Sequence, residues 1–193
     1  DAEVDIRRGA QLLEHRAAIP AYDLVTDFPA LSAYTGTGAE QRRSFTAYIL
    51  HRFPTVSVGT YHYSNADYAI ATAMAERVTG ESWETLMQTR LFQPLGVDGE
   101  FGWPAALETD QPWGHWIING HLEPQDPNGS YSLPTVIAPA GDVNMTIGDY
   151  ARFVQLNLRG LLGTDSIVTA ATFQHLHTGI APYALGWAVG EVD

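Results

Sequence analysis

The sequence predicts a mainly α fold with one small β-hairpin and a C-terminal strand, and three observations carry that expectation. Apolar residues recur at spacings of three and four in several separate stretches, each closed by Gly or Pro. The run His115 to Leu122 reads as a hairpin turning at Asn119-Gly120, a pair suited to a two-residue turn. Residues 184 to 192 read as a strand.

Residues 5 to 17 are predicted helical, with Ile6, Leu12 and Leu13 as the apolar contribution and Pro20 closing the segment. Residues 21 to 37 read as irregular and run into Gly36-Thr37-Gly38. A second helix covers 39 to 52, with Phe45, Tyr48 and Ile49 on one face and Pro54 as its stop. An extended approach from Pro54 to Thr60 leads into Tyr63-Ser64-Asn65, where a third helix begins. Its apolar stripe is read as Tyr68, Ala71, Ala75 and Val78, and Gly80 ends it. The start of that helix would hold Tyr63 and Asn65 on a rigid element, where a site can be positioned accurately.

Ser82 is expected to cap a helix carrying Trp83, Leu86, Met87 and Leu91, which Pro94 ends. Residues 96 to 144 are rich in Gly, Pro and Trp and contain the hairpin. Thr146 and Asp149 have capping-box spacing, with Asp in place of the usual Glu; the helix they open presents Tyr150, Phe153, Val154 and Leu158 on one side. Residues 166 to 176 make a further short helix.

A chain of 193 residues with 45% apolar content suits one domain over 1–193, or a large piece of one. Ten basic residues, all Arg, stand against 22 Asp and Glu, for a net charge of −12. That balance argues against nucleic acid, whose phosphates require clustered cations, and against anionic membrane surfaces. No apolar run reaches the length of a bilayer span. Without cysteine there is no disulfide, no thiolate nucleophile and no Cys-based metal site. No cofactor or metal is expected: Gly36 to Gln41 lacks the last glycine of a dinucleotide loop, and the histidines show no His-Glu-x-x-His pattern.

Tyr63-Ser64-Asn65 with its helix, Val78 to Glu84, and Leu91 to Val97 resemble the Tyr-x-Asn region of the serine hydrolase family that contains class C β-lactamases, D-Ala-D-Ala carboxypeptidases and related esterases. Leu12 to Pro20 resembles that family's Leu-Leu-x-His-x-Ser-Gly-Leu-Pro segment. Pro139-Ala140-Gly141-Asp142 with Asp149 to Phe153 resembles its Pro-Ala-Gly-Gly loop and following helix, and Tyr183 to Trp187 its Tyr-Gly-Leu-Gly-Trp strand entry. The resemblance implies the helical subdomain of a β-lactamase/penicillin-binding-protein-like fold, an α+β remnant. It also implies a periplasmic or secreted setting, although no signal-peptide pattern is present.

Family chemistry implies Ser-x-x-Lys, Tyr-x-Asn and a Lys-Thr-Gly or His-x-Gly strand. A serine hydroxyl needs a neighbouring base, and a tyrosine near pKa ~10 serves as one only where cations stabilise its phenolate. By position Tyr63 matches the acid/base and Asn65 the substrate-orienting amide. Read without the family, Tyr63 is a packed aromatic beside a helix start, in preference to a catalytic group, and Asn65 an ordinary N-cap candidate. With no lysine, Ser-x-x-Lys is impossible in these residues. His177-Thr178-Gly179 precedes Tyr183, so it reads as a helix end with Gly179 at C′ and not as the third motif.

The chain, opening on Asp1, is therefore expected to be a fragment of a larger serine hydrolase domain, inactive alone. A small-molecule acyl substrate would be taken only by the complete enzyme. The partners expected are the missing part of the domain or a second copy. The alternative is a non-catalytic binding or assembly module, or one chain of a two-chain hydrolase.

Overall fold

A computed structural model describes residues 9–129 and 132–190. Helix α1 covers 9–13; residues 5–8 of the first predicted helix lie outside the described residues. It stops well short of residue 17 because His15 and Ala18 take positive φ (57° and 63°), which turns the His15 ring inward, where it is buried. The stretch read as irregular holds a 3-10 turn (Val25–Asp27) and the short helix α2 (Phe28–Leu31), whose Phe28 and Leu31 are buried. Helix α3 (Gly38–Ile49) starts at a capping box in which Thr37 and Glu40 satisfy one another's backbone N–H groups. It buries Arg42, Phe45 and Ile49, while Tyr48 stands half-exposed.

Pro54 to Thr60 turns and does not run extended: Gly59 N–H is held by the Arg16 carbonyl at 2.8 Å and Thr60 N–H by that of Ser57 at 3.0 Å. Helix α4 (Asn65–Thr79) is closed by Gly80 at φ 73°, a left-handed position that glycine adopts without strain. Its buried face is Ala66, Asp67, Ala69, Ile70 and Glu76, not the stripe expected from Tyr68, Ala71, Ala75 and Val78. Val78 is 85% exposed. Two carboxylates displace the apolar positions because distant basic side chains reach them, His15 at Asp67 and Arg42 at Glu76.

Ser82 caps helix α5 (Trp83–Met87), its side chain accepting from Thr85 N–H. A π-helical turn (Gln88–Phe92) follows, then helix α6 (Gln93–Leu95) with Pro94 in its first turn and Gly96 as C-cap. Pro94 therefore stands one residue before the end of this continuous helical run, which Gly96 closes in the left-handed region.

Strand β1 (Gly99–Phe101) is followed by helix α7 (Pro104–Leu107) and the hairpin of β2 (His115–Ile118) and β3 (His121–Pro124). Asn119 and Gly120 at φ 52° and 80° form the turn as expected. A 3-10 turn (Thr135–Ala140) buries Val136, Ile137 and Ala138, and β4 (Val143–Met145) pairs antiparallel with β1, Gly99 facing Met145. The core joins α3, α4 and that 3-10 turn through Phe45, Ile49, Ala66, Ala69, Val136 and Ile137.

Thr146 caps helix α8 (Ile147–Leu161), which buries Asp149, Leu156, Asn157 and Gly160 and leaves Tyr150 and Leu158 largely open, unlike the predicted face. Helix α9 (Ala170–His177) packs across it. The helix does end at His177. Gly179, at the C′ position, has no left-handed φ; it is required because a Cβ there would lie 2.6 Å from Ala184 Cα. Residues 184 to 190 form no strand among the described residues, only the isolated bridges Ile180–Tyr183 and Tyr183–Ala188. The segment instead folds back on itself, Ala184 N–H bonding the Trp187 carbonyl and Val189 N–H that of Pro182, both at 2.8 Å.

Gly160 is where α8 and α9 meet, and a methyl group there would collide with the Phe173 ring. Gly160→Ala gains about 0.5–1 kcal/mol of helix propensity but overpacks a closed contact at about 1–3 kcal/mol. Net destabilisation is the expected outcome, read as a lower urea midpoint.

Candidate active site

Tyr63, Ser64 and Asn65 occupy the N-terminal end of α4. Ser64 is the N-cap, its Oγ accepting from Asp67 N–H at 3.2 Å while it donates to the Pro20 carbonyl at 2.9 Å. Asn65 is the first helical residue and not the cap, so its amide is free for other work. Its Nδ2 donates to the Tyr22 carbonyl at 3.0 Å and its Oδ1 accepts from the Tyr63 hydroxyl at 3.1 Å. The backbone N–H of Asn65 adds a bond to the Ala21 carbonyl at 2.8 Å. Tyr63 is 41% exposed, and its hydroxyl is held by the bond to Asn65.

The segment after α1 forms the wall of the site. His15, Ala18 and Tyr22 all have positive φ, a conformation that costs of order 1–3 kcal/mol for a non-glycine residue and clusters at functional sites. Bonds from His62 N–H to the His15 carbonyl (2.8 Å) and from Thr55 N–H to that of Ala18 (3.3 Å) hold the bend. Arg16 ties the wall to the chain's far end, bonding the Gly59, Ile180 and Ala181 carbonyls at 2.8–3.1 Å.

Beneath Tyr63 lies the buried His15 ring, 4.5 Å away between centroids, with Tyr183 at 4.8 Å and Tyr68 at 5.3 Å around the same imidazole. His15 Nδ1 accepts from Ser64 N–H at 3.2 Å and lies 3.4 Å from Asp67 Oδ2. Burial pushes the Asp67 carboxyl up, and His15 and His62 nearby draw it partly back. Burial also pushes the Tyr63 and Tyr68 phenols up, with neighbouring Tyr183 adding to both. No described cation lowers Tyr63. The pair is assembled, but as a neutral phenol.

The two expected residues, Tyr63 and Asn65, come together; His177, read from the sequence as a helix end and not a site residue, has its Nε2 at 3.0 Å from Asn157 Oδ1 on α8. No group of three His, Asp or Glu side chains among the described residues could hold a metal. No helix there is long and apolar enough to cross a membrane. Composition and periodicity do not single out His15, Asp67 or Tyr183, and they read Tyr68 only as part of an apolar stripe. The signal that could have found them is the recurrence of His and Tyr at the borders of the matched segments, around Leu12 to Pro20 and Tyr183 to Trp187.

Asp142, in the Pro139-Ala140-Gly141-Asp142 loop, is pushed up to about 6 by burial. The folded chain holds this proton more tightly than the unfolded one. Asp142 therefore favours folding below about pH 4, and the contribution is lost as pH rises through about 6. Asp142→Asn is expected to flatten the melting temperature between pH 4 and 7, and the substitution's gain should appear only at the upper end of that range.

Comparison with known proteins follows the same outline. Residues 8–193 match the β-lactamase family. The chain is 30% identical over 141 residues to a β-lactamase of Escherichia coli K12, an alignment covering 69% of this chain and 35% of that protein. It is 29% identical over 138 residues to penicillin-binding protein 4 of Amycolatopsis lactamdurans, covering 66% and 36%. Among solved structures, a penicillin-binding protein from Bacillus halodurans superposes with a TM-score of 0.68 at 19% identity, covering 91% of this chain and 55% of that one. The octameric penicillin-binding protein homologue from Pyrococcus abyssi gives 0.66 at 19%, covering 91% and 42%. At that identity the structures establish the fold alone. The chain spans about a third of the length of these curated relatives. With its family match running from residue 8 to residue 193, the chain belongs to the β-lactamase family, the serine hydrolases that include the penicillin-binding proteins.

Proposed function

We propose that these residues form the helical part of the active site of a serine acyl hydrolase of the esterase, D,D-peptidase or β-lactamase class, and that they turn over no substrate by themselves. The observation that carries the proposal is the Tyr63–Asn65 pair, bonded at 3.1 Å at the head of α4, in a sequence without lysine. Asn65 orients the acyl substrate's amide or ester. Tyr63 exchanges the proton of a serine hydroxyl as that oxygen attacks the carbonyl carbon. For Tyr63 to act as base its proton affinity must fall, whereas burial and Tyr183 raise it here. The cation that reverses this comes from a Ser-x-x-Lys segment outside these residues.

The purified chain is expected to leave nitrocefin and p-nitrophenyl acetate intact. Mixed with a polypeptide bearing Ser-x-x-Lys and the rest of the domain, it is expected to support labelling of that serine by a fluorescent penicillin or an activity-based fluorophosphonate. Hydrolysis by the chain alone, abolished in Tyr63→Phe, would overturn the inactivity.

A second reading, an assembly module, is favoured by large apolar side chains left open to solvent: Val78, Ile147 and Leu162 are 83–86% exposed. Such surface favours a covering partner, either the rest of a hydrolase domain or another copy. Monomeric sedimentation at high concentration would count against it.

A further inference from the structure

We propose that the cavity beside the Tyr63–Asn65 pair is a substrate subsite for amides or esters of apolar α-amino acids with a free amino group, Asp23 being the counter-ion of that ammonium; the proposal rests on the acyl-hydrolase reading and names its substrate class. The cavity, of about 590 Å³, falls within the range of roughly 300–1,000 Å³ usual for small-molecule sites. One of its walls is the segment that holds the pair. Pro20, Ala21 and Tyr22 line it, and their carbonyls accept from the Ser64 hydroxyl, the Asn65 N–H and the Asn65 side-chain amide respectively. A molecule in the cavity therefore lies against the backbone that positions Asn65.

The rest of the lining sorts by chemistry. Leu24, Ala30 and Phe53 are apolar, and the Phe53 ring is 92% exposed. Of the charged groups, Asp27 accepts from Leu24 N–H at 3.3 Å, and the Arg52 guanidinium lies 5.6 Å from the centre of the Tyr48 ring. Asp23 is exposed and makes no hydrogen bond, ion pair or ring contact with any described residue. Arg52 and Asp23 reach different phenols. Burial and Tyr48 push the Tyr22 phenol up to about 12, with Arg52 opposing them. Burial, Tyr183 and Tyr61 push the Tyr63 phenol up, and Asp23 adds to the rise. The charge that the cavity turns toward the reacting pair is therefore negative.

An α-amino group sits one carbon from the carbonyl that reacts. With that carbonyl at Asn65, the ammonium comes to Asp23, the residue after Tyr22, and the side chain to Leu24 and Phe53. An N-acylated substrate has no charge to offer there, and a carboxylate in its place is repelled. The chain's net charge of −12 acts in the same direction, drawing cations to its surface and turning anions away. The bound ammonium also neutralises Asp23 and so removes one of the influences that hold the Tyr63 proton.

The test uses this chain with tyrosines labelled at Cζ, Tyr63 being assigned by its loss in Tyr63→Phe. At about pH 6, below the α-amino range of about 7.7–8.0, leucinamide is a cation, with N-acetylleucinamide and 4-methylpentanamide as its neutral counterparts. Leucinamide is expected to shift the Tyr63 resonance saturably and leave Tyr150 unmoved. Without the charge-assisted hydrogen bond, both neutral amides should bind about tenfold more weakly. Asp23→Asn should bring leucinamide down to their level and leave theirs unchanged, whereas Phe53→Ala should weaken all three. Both side chains are exposed, so both variants are expected to keep the fold. No saturable shift, equal affinity for leucinamide and its acetylated form, or wild-type affinity for leucinamide in Asp23→Asn would each overturn the proposal. Tighter binding of 4-methylpentanoate than of leucinamide would assign the cavity to Arg52 and overturn it as well. None of these readouts requires turnover. If leucinamide binds through Asp23 but the complemented chain labels no serine, the hydrolase reading falls and the ammonium site stands; labelling without selectivity strikes the subsite alone.

Discussion

Arg42→Met is expected to cost about 3–5 kcal/mol of stability, the loss that follows when one member of a buried ion pair is removed and its partner stays behind. Arg42 is wholly buried. Its guanidinium donates to Glu76 Oε1 from Nε at 3.1 Å and from Nη2 at 2.6 Å, to both oxygens of Glu84 at 3.0 and 3.1 Å, and to the Thr135 carbonyl at 3.3 Å. It lies 5.8 Å from the centre of the Trp83 ring. One side chain therefore joins α3, α4, α5 and the 3-10 turn after Pro134, and Trp83 N–H adds a bond to Glu76 at 2.9 Å. Without the guanidinium, Glu76 would remain 92% buried with its charge uncompensated except by that one amide. A domain of this length typically has 5–15 kcal/mol in total, so thermal unfolding should move down by roughly 6–20 °C. The double variant Arg42→Met with Glu76→Met removes both charges and is expected to recover most of the loss. If Arg42→Met alone melted within a degree or two of wild type, Arg42 would not be holding these elements together.

That same arginine explains which parts of the fold can be read from the sequence. Local signals are legible because they act within a few residues. Ser82 and Thr146 cap where expected, Gly80 ends α4, and Asn119-Gly120 turns the hairpin. The face of α4 is not legible, because Asp67 and Glu76 are buried only through His15 and Arg42, 52 and 34 positions earlier in the chain. Periodicity assigns carboxylates to solvent unless their partners are known. The β1–β4 pair is missed for the same reason, since three-residue strands joined across more than forty residues carry no local pattern. At the site, the family resemblance picks out Tyr63 and Asn65 but cannot decide between Ser64 and Asn65 as the cap. Both residue types cap well, and the extended φ of −152° at Ser64 settles it. His15 is legible as part of a matched segment; its place beneath Tyr63 depends on left-handed backbone at a non-glycine residue, which sequence preferences disfavour.

In the complete enzyme, Tyr63→Phe is expected to lower acylation by about 10²–10⁴-fold, the usual worth of a positioned acid/base group, with little change in stability. Phenylalanine keeps the ring on His15, so the packing that places α4 survives. The deleted hydroxyl makes one partly exposed bond to Asn65, worth about 0.5–1.5 kcal/mol at most. A rate effect equivalent to several kcal/mol alongside so small a structural one would separate chemistry from scaffolding. The split between constants is diagnostic as well. If Tyr63 moves the serine proton only as the transition state forms, kcat and kcat/KM should fall together and KM should hold. If Asn65 holds the bound substrate before reaction, as proposed, Asn65→Ala should raise KM as well. If Tyr63→Phe instead acylated at the wild-type rate but melted several degrees lower, its ring alone would be what the fold requires, and the proton would have to travel through another group.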